Sequence, residues 1–309
     1  MLSLLPFLLL EERRNILIIL VKGFFFVGIL QIMQLMTAKA VPLLLAVAIL
    51  RVCLALFHVV PGVGYYELCF SAIMVLITYV VFLMTSCFRN PSMYVLALSA
   101  LLYIISTTLR AIFPVRQELK ACFHTEGITP WWERLIALFG ELAIGIQLAF
   151  VTATVAHLSG SPYAKVIFWA ILGTIFVAEI VCYAACLYHP SLHNLEYLLW
   201  FLVVIGILFV ASLAWQRKRP AGLRRLSASV IIVCLIVCYF FGFHLEYYSS
   251  SMQANNNMFV CNTASPQDWT DYFSNYAYPY FVVFAGISAY LTIHVQQIRM
   301  FDKNATSWL

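Results

Sequence analysis

The feature that most constrains this chain is a succession of long apolar runs, each about the length needed to cross a lipid bilayer. A hydrocarbon core takes roughly 20 residues of helix. Measured against that length the chain divides into about nine spans, near 15–36, 41–60, 67–87, 93–113, 134–157, 166–187, 194–215, 227–246 and 276–297. Turn signals fall between several of them: Pro61-Gly62, Asn90-Pro91, Ser161-Pro162 and Pro190-Ser191. Charged residues make up only 10% of the chain, against about 25% in a soluble domain. The deficit runs the whole length and leaves no polar stretch for a separate soluble unit. The expected fold is therefore all-α: a polytopic transmembrane helix bundle forming one integral membrane domain over residues 1–309. A transmembrane barrel would show short alternating segments instead. Residues 1–10 (MLSLLPFLLL) are apolar but short and precede Glu11, Glu12, Arg13 and Arg14, which reads as an interfacial helix rather than a cleaved signal.

Orientation follows from Lys and Arg, which accumulate in cytoplasmic loops. Residues 216–226 hold Arg217, Lys218, Arg219, Arg224 and Arg225, the densest basic run in the chain. With that loop cytoplasmic, Lys39, Arg89, Lys165, Arg299 and Lys303 fall on the same side. Loops 61–66, 188–193 and 247–275 contain no Lys or Arg and fall on the other. Only Arg116 and Lys120, in loop 114–133, dilute the pattern. The N-terminus is then outside and the C-terminus inside, in a cell or inner membrane. The net charge of +5 is absorbed by this topology and implies no nucleic-acid partner.

Ionisable groups at membrane depth are costly and mark working sites by default. Glu141 and Glu179 lie inside the fifth and sixth spans. At the helical rise per residue both sit about 10–12 Å below the outer boundary, so they can meet in one layer. Ala137, Glu141, Gly145 and Ala149 recur at i, i+4 on one face, where small residues permit close helix approach. Glu179 shares a face with Cys182, Tyr183 and Cys186. Arg51 and Arg110 are the expected counter-ions, and Glu196, His189, His193 and His244 gather in the same outer half. Together these residues suggest a polar cavity opening to the non-cytoplasmic face. The alternative is a set of buried ion pairs that fix helix packing without further chemistry.

No H-E-x-x-H sequence is present, so the spacing offers no metal-ligand motif and no metal is expected. Nothing in the His spacing selects a cofactor. The pairs Cys182/Cys186 and Cys234/Cys238 read as buried small hydrophobes. Cys122 and Cys261, in the two long loops assigned to the outer face, are the expected disulfide. Paired acids with an Arg counter-ion suit proton- or cation-coupled transport of a small solute. Two other classes fit the same residues. One is a membrane-embedded enzyme acting on a lipid or quinone at the outer leaflet, with acids and His as general acid–base groups. The other is a non-catalytic subunit or assembly factor of a membrane complex. The partners implied are the lipid bilayer, a small solute or lipid substrate, and other membrane proteins.

Overall fold

The computed structural model describes residues 63–85, 91–116, 121–124, 128–188 and 191–216 and, with breaks, 223–235 and 261–301. Backbone proximity divides the chain into two compact units, Met1–Val63 and Gly64–Leu309, and the description below concerns the second. The spans expected at 15–36 and 41–60, together with Arg51, His189 and His244, lie outside the described residues.

Six helices are described: α1 (Val63–Thr85), α2 (Pro91–Ile112), α3 (Pro130–Leu158), α4 (Ala164–Leu187), α5 (Leu192–Gln216) and α6 (Phe284–Phe301). Among the described residues α1 to α5 are long and apolar enough to cross a membrane, consistent with an integral membrane protein. The apolar part of α6, Phe284–Ile293, is shorter. Each helix corresponds to an expected span, but α3 begins at Pro130 rather than at 134. Thr129 is extended (φ −69°, ψ 162°), and Pro130 stands at the head of the helix. The fixed φ of proline suits that position, and its missing N–H costs nothing there. The added turn carries Glu133 into the helix and moves Arg134 from its edge to its second turn, and both are buried.

Consecutive helices α2 to α5 pack side by side, α6 leans on α2 and α3, and α3 also touches α5. α3 is the hub, and its composition explains why. Ala137, Ala143, Ala149, Ala153 and Ala156 are buried with Gly140 and Gly145. Small residues let neighbouring helix backbones come close, which is how helices associate when lipid removes the hydrophobic drive between them. A Cβ on Gly140 would stand 2.3 Å from Ser106 Oγ of α2, and one on Gly145 would stand 2.8 Å from Ile175 Cγ2 of α4. The main core gathers Phe150, Val151, Ile171, Ile175, Val203, Val204 and Ile207 from α3, α4 and α5. A second patch joins Tyr79 of α1, Ala100 and Ile104 of α2, and Ala285 and Ala289 of α6. On the opposite faces Val166, Trp169, Phe176 and Ile180 of α4 and Leu198, Leu202, Ile205 and Phe209 of α5 are exposed. An apolar outer surface of that extent matches lipid rather than water.

The expectation of a wholly helical chain needs one amendment. Between α2 and α3 lies a short antiparallel hairpin, β1 (Val115–Arg116) with β2 (Ala121–Cys122), pairing Val115 with Cys122 and Arg116 with Ala121. Ala121 also bridges to Asn262, and Cys122 forms a disulfide with Cys261, with Cα atoms 5.3 Å apart. That pairing is the one expected from the two long loops. Trp269, Tyr272 and Phe273 are buried beside it, Trp269 and Phe273 edge-on to Phe123, and Tyr272 donates to the Val115 carbonyl at 3.4 Å. This aromatic cap sits at the end of the bundle where α2 stops and α3 starts. α4 stops and α5 starts at that same end.

Candidate functional site

The capped end of the bundle holds a buried network of charge. On α3, Glu133, Ala137 and Glu141 recur every four residues, and Arg134 precedes Glu141 by seven, so all four share a face. Ala137 has no bulk to obstruct Arg134, whose Nη2 reaches Glu141 Oε2 at 2.7 Å. The same nitrogen lies 3.4 Å from Glu179 Oε2 on α4. From α2, Arg110 donates through Nε to Glu133 Oε1 and lies with Nη1 3.5 Å from Glu141 Oε1. Phe281 supplies a ring face 5.1 Å from the Arg110 guanidinium carbon. A chain of alternating charge thus runs Glu133–Arg110–Glu141–Arg134–Glu179, tying α2, α3 and α4 together. Every member is less than a tenth exposed. Arg suits this role because its planar fork can serve two carboxylates at once.

α5 brings the remaining groups. It begins at Leu192, so His193 lies in its first turn rather than in the preceding loop, three residues before Glu196. His193 Nδ1 lies 2.6 Å from Glu196 Oε2. The Cys182 sulfur is 3.9 Å from Nδ1 of that imidazole, and the Cys186 sulfur is 3.9 Å from Nε2. These two cysteines were expected to be inert packing groups. The structure instead turns both toward the one imidazole.

Glu141, Glu179 and Glu196 each offer a carboxylate oxygen, and the three oxygens lie within 4.8 Å of one another. Cys182, His193 and Glu196 make a second such group. Glu179 Oε1, Arg134 Nε and the Tyr183 hydroxyl are buried with no hydrogen-bond partner among the described residues. Glu133 and Glu141 pair with Arg110, Glu141 and Glu179 with Arg134, and Glu196 with His193.

Below this layer, Gln147 on α3 donates to the Ser288 carbonyl at 2.6 Å and to Thr292 Oγ1 at 2.7 Å, and it accepts from Ser288 Oγ at 2.6 Å. All three residues are fully buried. Gln147 lies about 9 Å along the helix from Glu141.

Of the site residues expected from sequence, the structure brings together Glu141, Glu179, Arg110, Glu196 and His193. Arg51, His189 and His244 lie outside the described residues. Arg134 and Glu133 were not foreseen as members. The expected fifth span begins at Arg134, four residues after the helix starts. The seven-residue spacing from Arg134 to Glu141 was the available signal. The chain matches no family model, no curated protein and no solved structure.

Proposed function

We propose that this chain is a membrane carrier that couples movement of a small solute to a proton or cation, with Glu141 and Glu179 as the coupling groups. The observation that carries the reading is the shared guanidinium. Arg134 serves two carboxylates from two helices, while Glu179 Oε1, 1% exposed as a residue, is left with no hydrogen-bond partner among the described residues. A proton or cation arriving there would change which carboxylate Arg134 neutralises, and so the contact between α3 and α4. Binding is then coupled to helix position, as a carrier requires. The basic loop 216–226 supports a bundle of about nine spans with the N-terminus outside and the C-terminus inside. In that orientation the cluster occupies the outer half of a cell or inner membrane, under the disulfide-bonded cap. Arg51, His189 and His244 belong to the same half in this reading.

The test is charge displacement in proteoliposomes adsorbed on a solid-supported membrane. Jumps in proton or sodium concentration should evoke transient currents with the wild-type protein. Glu141→Gln with Glu179→Gln should abolish them. Currents that persist in the folded double variant, or their absence from the wild type, would refute the reading.

One observation favours a membrane-embedded enzyme instead. Cys186 Sγ, His193 and Glu196 stand in the order nucleophile, base, orienting acid, with the sulfur 3.9 Å from Nε2 and Nδ1 2.6 Å from the carboxylate. Such an arrangement would take the acyl group of a lipid ester onto sulfur, the ester C–O bond breaking while His193 takes the thiol proton and passes it to the departing alcohol. Covalent labelling of Cys186 by an acyl-thioester lipid probe, lost in Cys186→Ser, would establish this reading. An unlabelled Cys186 would reject it.

A further inference from the structure

The geometry points to a binding site for a divalent first-row transition metal ion at the meeting of α3, α4 and α5, with Glu141, Glu179 and Glu196 as its carboxylate ligands and His193 and Cys182 as its nitrogen and sulfur donors. The inference deepens the transport reading, and it rests on that reading only in taking this metal to be the cation that moves or couples. Metal binding itself is measured without flux.

Four features converge. The first is proximity. The three carboxylate oxygens lie within 4.8 Å of one another, and so do the donors of Cys182, His193 and Glu196. Tetrahedral metal–ligand bonds of about 2.0–2.3 Å place ligand atoms roughly 3.3–3.8 Å apart, so donors at the far limit need close by about 1–1.5 Å. Glu196 belongs to both groups and so joins the two sets of donors. The second is the bare oxygen. Glu179 Oε1 is buried within this cluster and has no hydrogen-bond partner among the described residues, while Oε2 of the same carboxylate faces Arg134. A buried acceptor in that state is what a cation satisfies. The third is burial. Glu141, Glu179 and Glu196 are each less than a tenth exposed, so a cation held among them is out of water.

The fourth is donor chemistry. Three carboxylates alone would suit magnesium, calcium or manganese. An imidazole and a thiol beside them shift preference toward the later first-row ions, with zinc strongly held. His193 Nδ1 lies 2.6 Å from Glu196 Oε2 and 3.9 Å from the Cys182 sulfur, so a bound ion would take the place of the His193–Glu196 contact. Bundle cores build metal centres from carboxylates and His projected inward by different helices. That is the disposition here, and no local sequence motif announces it. Arg134 holds Glu141 Oε2 and Glu179 Oε2, so that both carboxylates keep their places before metal arrives.

The experiment uses the full-length chain in detergent, stripped with a chelator and titrated separately with Zn²⁺, Mn²⁺, Mg²⁺ and Ca²⁺ by calorimetry. Metal content after dialysis is read by mass spectrometry. The expected result is one Zn²⁺ per chain, with Mn²⁺ held more weakly and Mg²⁺ and Ca²⁺ more weakly still. Glu179→Gln and Glu196→Gln should lose that binding, and His193→Gln should weaken it on the order of 10- to 100-fold. Should the variants fail to fold, a second measurement on the wild type decides. Zn²⁺ should raise the thermal midpoint, and Co²⁺ should develop a near-ultraviolet sulfur-to-metal absorption that Cys182→Ala removes. Binding of no transition metal, undiminished binding in folded Glu179→Gln and Glu196→Gln, or equal binding of Ca²⁺ and Zn²⁺ overturns the inference. Metal binding without charge displacement in liposomes sinks the transport reading and keeps the site. Charge displacement without metal binding does the reverse.

Discussion

Arg134→Gln is the perturbation whose consequence follows most directly from the structure. Arg134 contacts Glu141 at 2.7 Å and Glu179 at 3.4 Å, and all three side chains are less than a tenth exposed. At an effective dielectric of about 20 the two attractions amount to roughly 6 and 5 kcal/mol before desolvation. Desolvation offsets several kcal/mol per ion, so the intact network contributes little net stability. Deleting one partner is different, because it leaves Glu179 buried without its cationic partner among the described residues. The cost is then about 3–5 kcal/mol. With a midpoint sensitivity of about 2–4 °C per kcal/mol, the thermal midpoint should fall by on the order of 10 °C. The assay is fluorescence-detected size exclusion of detergent-solubilised protein after graded heating. A second variant sharpens the reading. Glu179 has Arg134 as its sole cationic partner among the described residues. Adding Glu179→Gln to Arg134→Gln should therefore restore about 1–3 kcal/mol, the coupling expected of residues in one network. A midpoint within 2 °C or so of wild type for Arg134→Gln, or strictly additive losses in the double variant, would refute the argument that this guanidinium neutralises both acids.

Three further outcomes are expected. Gly140→Ala places a methyl 2.3 Å from Ser106 Oγ, where Ser106 already donates to the Ile136 carbonyl at 2.8 Å. It should cost about 1–3 kcal/mol by overpacking, measured by the same melts, whereas Gly173→Ala, with open space at the added Cβ, should cost far less. Gln147→Leu removes the tie from α3 to Ser288 and Thr292 and should cost about 1–2 kcal/mol; an unchanged midpoint would show that the tie is not stabilising. Cys122→Ser and Cys261→Ser should each free one thiol for maleimide labelling without reductant and lower stability by about 2–4 kcal/mol, and unchanged labelling would contradict the pairing.

Much of this molecule could be read from its sequence, because lipid leaves the backbone few choices. Apolar length announced α1 to α5, and the described helix ends fall within a few residues of the expected spans. The disulfide was legible for a similar reason: two thiols in the only two long loops had one plausible meeting place. Glu141, Glu179 and Arg110 were legible as costly intramembrane charges. What escaped was where a helix starts. Glu133 falls in the expected loop and Arg134 at the first position of the expected span, yet Pro130 begins the helix ahead of them and both are buried. The role of Cys182 and Cys186 escaped for another reason. Their i, i+4 spacing says only that they share a face. That they face His193 depends on α5 beginning at Leu192, which no spacing within α4 encodes. The convergence of Glu196 with Glu141 and Glu179 is likewise a product of three-helix packing.

The account's central claim is that Glu141 and Glu179 form a carboxylate pair that takes up the coupling cation. Infrared difference spectroscopy on the lipid-reconstituted protein, recorded while protons, sodium or Zn²⁺ are perfused, observes those groups directly. The account predicts carboxyl bands that shift reversibly with at least one of these cations in the wild type, that shrink in Glu141→Gln, and that shrink again in the double variant with Glu179→Gln. Spectra without a carboxyl change for any of the three cations, or bands that survive intact in the folded double variant, would contradict it.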